Sequence, residues 1–139
     1  MDFPEAARPL VELEPKKDYF VAIDSDGCVF DNMGIKQREC FCPAMIASFG
    51  LQPVAAAARE CKDFADLFSK TRGANRHITA TRILTELLPS HPMTEERNFE
   101  VPAWEHYCNW VNDEDSMLSN AGLEKAIAEA GLTGLVAPI

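Results

Sequence analysis

Residues 19–23, with the sequence YFVAI, form an uninterrupted apolar run that leads directly into the polar sequence DSDG at residues 24–27. A short run rich in aromatic and β-branched residues, without polar alternation, is typical of a strand buried on both faces. Such a strand needs neighbouring strands, because its backbone N–H and C=O groups must be hydrogen-bonded. The run therefore predicts an α/β fold, with Asp24 and Asp26 at the carboxyl end of a core strand.

The chain after Asp31 is predicted to be mainly helical, because apolar residues recur at helical spacing between capping and breaking residues. Asn75 is expected to cap one helix, and Ser119 or Asn120 is expected to cap the last one. Residues 1–17 are expected to form a surface lead-in, extended at Leu10 to Leu13, and residues 90–98 a polar loop. Helices are predicted at residues 37–49, 53–69, 75–89, 102–111 and 120–130, with Cys61, Phe64, Ala65, Leu67, Phe68, Ile78, Ile83, Leu84, Leu87 and Leu88 on apolar faces.

Two carboxylates two residues apart, Asp24 and Asp26, can face the same side only if the backbone turns, and Gly27 permits that turn. Carboxylates held close together repel each other, so the pair favours a shared proton or a divalent cation. One carboxylate can then attack a substrate while the other transfers a proton. The alternative interpretation is an Asx-type turn that only ends the strand. An EF-hand loop is excluded, because its glycine would fall at Val29 and its last glutamate at Ile35.

The sequence YFVAIDSDGCVFD at residues 19–31 resembles the first motif of the haloacid dehalogenase (HAD) superfamily, in which an apolar strand precedes D-x-D-G, further apolar residues and Asp. The resemblance implies an α/β HAD-like fold with a Rossmann-type core and an inserted all-helical cap. This chain would hold mostly helices and one or two core strands. The implied domains are a lead-in and first core strand at residues 1–33, a helical cap at 34–131, and the start of a return to the core at 132–139.

The same resemblance implies a Mg²⁺-dependent phosphatase that acts on a small phosphorylated metabolite. Asp24 would be the nucleophile that forms an aspartyl-phosphate, and Asp26 would be the general acid and then the general base. The Asp24 carboxylate and the Asp26 backbone carbonyl would hold Mg²⁺. An acid at position 26 favours phosphate-ester hydrolysis over dehalogenation. Asp31 is expected to shape the turn that leads into the cap.

A cationic segment between two predicted helices, residues 70–77, matches the position of the substrate loop in such a cap. Lys70, Arg72 and Arg76 suit an anionic substrate, and arginine can bind a phosphate through two hydrogen bonds. Gly73 would allow a close approach, and Arg72 is the favoured substrate ligand. The alternative is a solvated loop between helices with ordinary surface charge.

The later motifs of the superfamily are not found in residues 32–139, which contain no second apolar strand ending in Ser or Thr and none ending in an acidic pair. Each strand–helix–strand unit needs roughly 30 residues. We therefore expect an amino-terminal fragment that is inactive alone. Two alternatives remain open. In one, the protein is a non-catalytic helical interaction module in which DSDG is a relic or a simple turn. In the other, the missing core segment on another chain, or a second copy, completes the sheet.

The amino-acid composition limits the classes of molecule that the protein is expected to bind. The net charge is −9 and the pI is about 4.7, which disfavours a nucleic-acid binder because phosphate backbones require a basic face. No apolar run is long enough to span a membrane, and the first residues lack the pattern of a signal peptide, so a cytoplasmic location is expected. The five cysteines are expected to be free thiols, and Cys40 and Cys42 are not expected to bind metal.

Overall fold

The computed structural model describes residues 5, 8–14 and 16–131, so the prediction for residues 132–139 lies outside the described range. The chain folds as two compact units that divide after Asp31. No helix within the described residues is long and apolar enough to cross a membrane.

The predicted α/β fold is wrong for the part of the chain that the structure describes, which contains helices but no strand or sheet. Residues 19–23 have no regular secondary structure, and the side chains of Tyr19 and Phe20 are 90% and 85% exposed. The one β-type pairing among the described residues is an isolated bridge between Asp26 and Phe30. The strand fails to form because a doubly buried strand requires partner strands on both sides, and the described residues supply none.

The first unit contains a short helix, α1, at Arg8–Val11. This helix contradicts the extended piece predicted at Leu10 to Leu13. Ion pairs from Arg8 to Glu5 and to Glu12, three and four residues away, lie along the same side of the helix and favour it.

All the regular secondary structure among the described residues of the second unit is helical. Several of its helices run directly into π-helical segments, so that consecutive elements form longer continuous rods. The elements are α2 at Met33–Ile35, a π segment at Lys36–Phe41, α3 at Cys42–Ser48, a 3₁₀ turn at Gln52–Val54, α4 at Ala55–Asp63, a π segment at Phe64–Phe68, α5 at Arg76–Arg82, a π segment at Ile83–Leu87, α6 at Pro92–Glu96, α7 at Glu105–Asn112 and α8 at Asn120–Glu129.

Among the described residues, one hydrophobic cluster holds the second unit together, and its buried members come from α3, α4 and its π continuation, the rod that begins with α5, and the turns beside them. Burial of apolar surface of this kind is the main free-energy term that stabilises a small domain. Phe49 and Tyr107 pack against the cluster from its edge. The buried members are Cys42, Met45, Ile46, Leu51, Val54, Ala57, Ala58, Cys61, Ala65, Ile83, Leu84 and Leu88.

The helix starts follow local capping chemistry. The side chain of Asn75 accepts a hydrogen bond from the backbone N–H of His77 at 2.9 Å, and Ser119 accepts one from Gly122 at 3.1 Å, so both predicted caps are confirmed. The predicted polar loop at residues 90–98 is wrong, because it contains α6. His91 caps that helix by accepting from the Met93 N–H at 3.2 Å, and Pro92 occupies its first turn.

Ion pairs stabilise α4 and the π segment at Phe64–Phe68 that continues it. Arg38 Nε donates to Asp63 Oδ2 at 2.7 Å, which joins the π segment after α2 to the end of α4. Lys62 is buried and donates to Asp66 one turn later. A lysine this deeply buried needs its partner, because an unpaired buried charge costs several kcal/mol.

Candidate functional site

The acidic loop, residues 24–31, is closed by its own backbone. The carbonyl oxygen of Ser25 accepts hydrogen bonds from the N–H groups of Val29 and Phe30, both at 3.0 Å. The N–H of Gly27 donates to the carbonyl oxygen of Phe30 at 2.8 Å. Gly27 has a φ of 74°, a left-handed conformation that glycine adopts without strain. The loop is therefore a defined turn and not an open connection.

The closed turn carries both predicted carboxylates. Asp24 stands at its entrance and is exposed to solvent, and its Oδ1 accepts a hydrogen bond from the Ser25 N–H at 2.8 Å. Asp26 lies within the turn and is half-buried. Asp24 is therefore the more exposed of the two residues, and Asp26 lies two residues away on the same turn.

The oxygen donors of the acidic loop suit Mg²⁺ by chemical type. Mg²⁺ prefers oxygen ligands, and it is usually held by one or two carboxylates with water and substrate phosphates completing its shell. Asp24 and Asp26 supply donors of this kind. The described residues contain no group of three or more His, Cys, Asp or Glu side chains placed to bind a metal, so a fully protein-made cage is not found in that part of the chain.

The cationic loop, residues 70–76, is held open by hydrogen bonds at its base. The buried Ser69 hydroxyl donates to the Ala65 carbonyl at 2.7 Å and accepts from the Thr71 N–H at 3.2 Å. Arg82 Nη1 donates to Thr71 Oγ1 at 2.7 Å. Gly73 has a φ of 85°, and no heavy atom lies within 4 Å of where a Cβ would stand. The loop thus has a fixed base and an uncrowded tip.

The cationic side chains of this loop differ in whether they bond to other residues. Lys70 and Arg72 are exposed, and their side chains form no ion pair or hydrogen bond with other described residues. Arg76 bonds to another helix, since its Nη2 donates to Asn120 Oδ1 at the start of α8. Lys70 and Arg72 thus have side chains without a partner among the described residues, whereas Arg76 also contacts the start of α8.

The predicted site residues fall into two groups. Asp24 and Asp26 share the acidic loop of the first unit, whereas Lys70, Arg72 and Gly73 share the cationic loop of the second unit.

A buried polar cluster that sequence reasoning missed joins α5 to α7. His77 is 6% exposed, and its Nδ1 lies 3.0 Å from the Tyr107 hydroxyl. The His77 ring contacts Trp110 edge-on at 5.0 Å between centroids, and its Nε2 has no hydrogen-bond partner among the described residues. Burial lowers the pKa of His77 from 6.5, and the neighbouring Arg76 charge lowers it further. No local signal pairs His77 with a residue thirty positions away.

The five cysteines are all free thiols, as predicted. Cys40 is exposed while Cys42 is buried. Burial raises the pKa of the Cys42 thiol and raises that of Cys61 to about 11, so both are poor nucleophiles at neutral pH.

Comparison with protein-family models, with curated proteins and with solved structures finds no match to this chain. The likeness to the HAD superfamily thus depends on the sequence of residues 19–31 alone.

Proposed function

We propose that the protein is a Mg²⁺-dependent phosphohydrolase whose reacting groups lie on the acidic loop. The observation that supports it is the closed turn, which presents an exposed Asp24 beside a half-buried Asp26. A fixed backbone holds the two carboxylates at a constant spacing. Phosphoryl transfer depends chiefly on such positioning and on charge stabilisation.

In the proposed reaction, an Asp24 carboxylate oxygen attacks the phosphorus of a phosphate monoester. The bond from phosphorus to the ester oxygen breaks as the bond to Asp24 forms, and Asp26 gives its proton to the departing alkoxide. The product of this half-reaction is an aspartyl-phosphate on Asp24 and a free alcohol.

In the second half-reaction, Asp26 removes a proton from a water molecule that attacks the same phosphorus. Inorganic phosphate leaves, and the Asp24 carboxylate is restored. A bound Mg²⁺, held by oxygens of Asp24 and Asp26, would offset the negative charge shared by carboxylate and phosphate. The acidic loop contains no Lys or Arg, so we expect the chain by itself to be a slow catalyst.

The cationic loop is proposed to bind the substrate. The charged groups of Lys70 and Arg72 have no partner among the described residues, and Gly73 leaves the tip of the loop uncrowded. These features suit a small phosphorylated metabolite, because Arg can form two parallel hydrogen bonds to a phosphate. We place the protein in the cytoplasm, and we assign it no nucleic-acid or membrane partner.

Beryllofluoride, a phosphate analogue that binds an aspartate carboxylate in the presence of Mg²⁺, provides a test that does not require turnover. We expect bound fluoride signals in the ¹⁹F NMR spectrum of the full chain with Mg²⁺ and beryllofluoride. Asp24→Asn should abolish these signals, because an amide oxygen does not replace the carboxylate.

Asp18→Asn is the matched control, because Asp18 lies on the other side of the apolar run and outside the acidic loop. This variant should retain the bound signals. Their absence from the wild-type protein, or their survival in Asp24→Asn, would exclude the proposed nucleophile.

A second candidate function is a non-catalytic helical interaction module. It is favoured by one observation: the buried cluster of the second unit is complete without any residue of the acidic loop. Under this alternative, DSDG is a turn that links the two units. Wild-type protein that binds no beryllofluoride but keeps its helical structure would support this candidate over the enzyme.

A further inference from the structure

The apolar run at residues 19–23 is exposed in an unusual way for a folded chain. Val21 and Ile23 are 79% and 71% exposed, and Tyr19 and Phe20 are more exposed still. No backbone N–H or C=O of the run forms a hydrogen bond with another described residue. A segment with high β-propensity and unpaired backbone groups is a template for strand pairing with another chain.

We propose that residues 16–24 pair in antiparallel fashion with the same residues of a second copy of the protein, with Phe20 of one copy opposite Phe20 of the other. The pairing joins identical segments about a two-fold axis, the commonest symmetry of protein dimers. It does not depend on the proposed catalytic role.

The flanking charges select this register. Lys16 and Asp24 lie four residues on either side of Phe20. Antiparallel pairing about Phe20 therefore places Lys16 of each copy directly opposite Asp24 of the other. Opposite charges in directly facing cross-strand positions stabilise a pair of strands. The register yields two such ion pairs, one at each end of the ribbon.

In this register, each face of the ribbon brings compatible side chains opposite one another. Side chains of a strand alternate between faces, so Tyr19, Val21 and Ile23 share one face. In this register each Tyr19 faces a Val21 of the other copy, an aromatic and β-branched pair of the kind that stabilises strands. The opposite face carries the two Phe20 rings at its centre, between the ion pairs.

Two other arrangements place like charges opposite each other. Antiparallel pairing centred on Val21 sets Asp18 of each copy opposite Asp24 of the other. Parallel pairing in register stacks Lys16 on Lys16 and Asp24 on Asp24. Like charges in directly facing positions destabilise strands, so both arrangements are disfavoured.

Sedimentation equilibrium of the full chain over a wide concentration range tests the proposal. A two-stranded ribbon is marginally stable, so we expect a weak dimer with a dissociation constant on the order of 100 µM. Hydrogen exchange should slow at the amides of residues 19–23 as the concentration rises. A protein that remains monomeric to about 1 mM would overturn the proposal.

Charge reversal tests the register. Lys16→Asp and Asp24→Lys should each weaken the dimer about 10-fold or more, because each variant places like charges opposite one another. The double variant restores opposite charges and should return the dissociation constant to within about 3-fold of the wild-type value. Lys17→Glu is the matched control, because Lys17 faces the uncharged Ile23 in this register. A dimer that both single reversals leave intact would show that the interface lies elsewhere.

Discussion

At the scale of single residues, we expect the protonation of His77 to make the free energy of unfolding depend on pH. Its ring is enclosed between Tyr107 and Trp110, and burial followed by the Arg76 charge lowers its pKa from 6.5. The native state therefore binds a proton more weakly than the unfolded state. Below the unfolded pKa the unfolded chain holds more protons, so the free energy of unfolding falls as the pH drops.

We expect His77→Gln to reduce this pH dependence, because glutamine can bond to Tyr107 but does not titrate. Urea unfolding at about pH 7.5 and pH 5.5 measures the difference for each protein. The exposed His106→Gln should retain the wild-type loss of stability. An equal loss in His77→Gln would show that other groups account for the acid sensitivity.

At the scale of secondary-structure elements, Asn75 has two roles. Its Oδ1 caps α5, and its Nδ2 donates to the Leu118 carbonyl at 2.8 Å, which ties the start of α5 to the segment before α8. Asn75→Ser keeps a capping oxygen but loses the hydrogen bond to Leu118. It should lower the free energy of unfolding by about 1 kcal/mol. Asn75→Ala should cost about 1 kcal/mol more, since it also loses the cap. Urea denaturation separates the two terms, and equal losses would mean that the cap contributes nothing.

Two helical glycines predict opposite effects of the same substitution. A Cβ on Gly122 in α8 would lie 1.8 Å from the backbone oxygen of Met117, so Gly122→Ala should destabilise the protein by about 1–3 kcal/mol. A Cβ on Gly34 in α2 meets nothing nearer than 4.0 Å. Gly34→Ala should therefore stabilise the protein by up to about 1 kcal/mol. Thermal unfolding followed by circular dichroism compares them, and a stabilising Gly122→Ala would refute the close contact.

At the scale of the whole molecule, the second unit should fold without the first. Its buried cluster lies entirely between Cys42 and Leu88. Removal of residues 1–31 should therefore leave a cooperative helical protein whose Tm changes by no more than about 5 °C. Scanning calorimetry and circular dichroism of residues 32–139 provide the measurement. Loss of the cooperative transition would show that the second unit needs the first.

The helices could be predicted from sequence where their signals are local. Asn75 and Ser119 cap helices because a side-chain oxygen needs only the backbone N–H groups two or three residues ahead. The helix at Pro92–Glu96 was not predicted, because His91 is an uncommon cap. The turn at Gly27 was predicted for the same local reason as the caps, since glycine permits a positive φ.

The predictions that failed concern contacts between distant parts of the chain. Ile78 belongs to the predicted apolar stripe of its helix, yet it is 47% exposed while Ile83 is fully buried. Phe68 is likewise 67% exposed on a face predicted to be apolar and buried. Periodicity identifies which residues share a face, but the burial of that face depends on which other elements pack against it.

The sequence by itself determined the helix caps at Asn75 and Ser119, the net charge of −9 and the acidic turn, because each depends on residue chemistry or on neighbours a few positions apart. Only the tertiary structure decided that residues 19–23 remain exposed, that His77 is buried against Tyr107, and that Gly122 has no room for a side chain. Burial and strand pairing require partners that are distant in the sequence, and local patterns do not encode which partners are present.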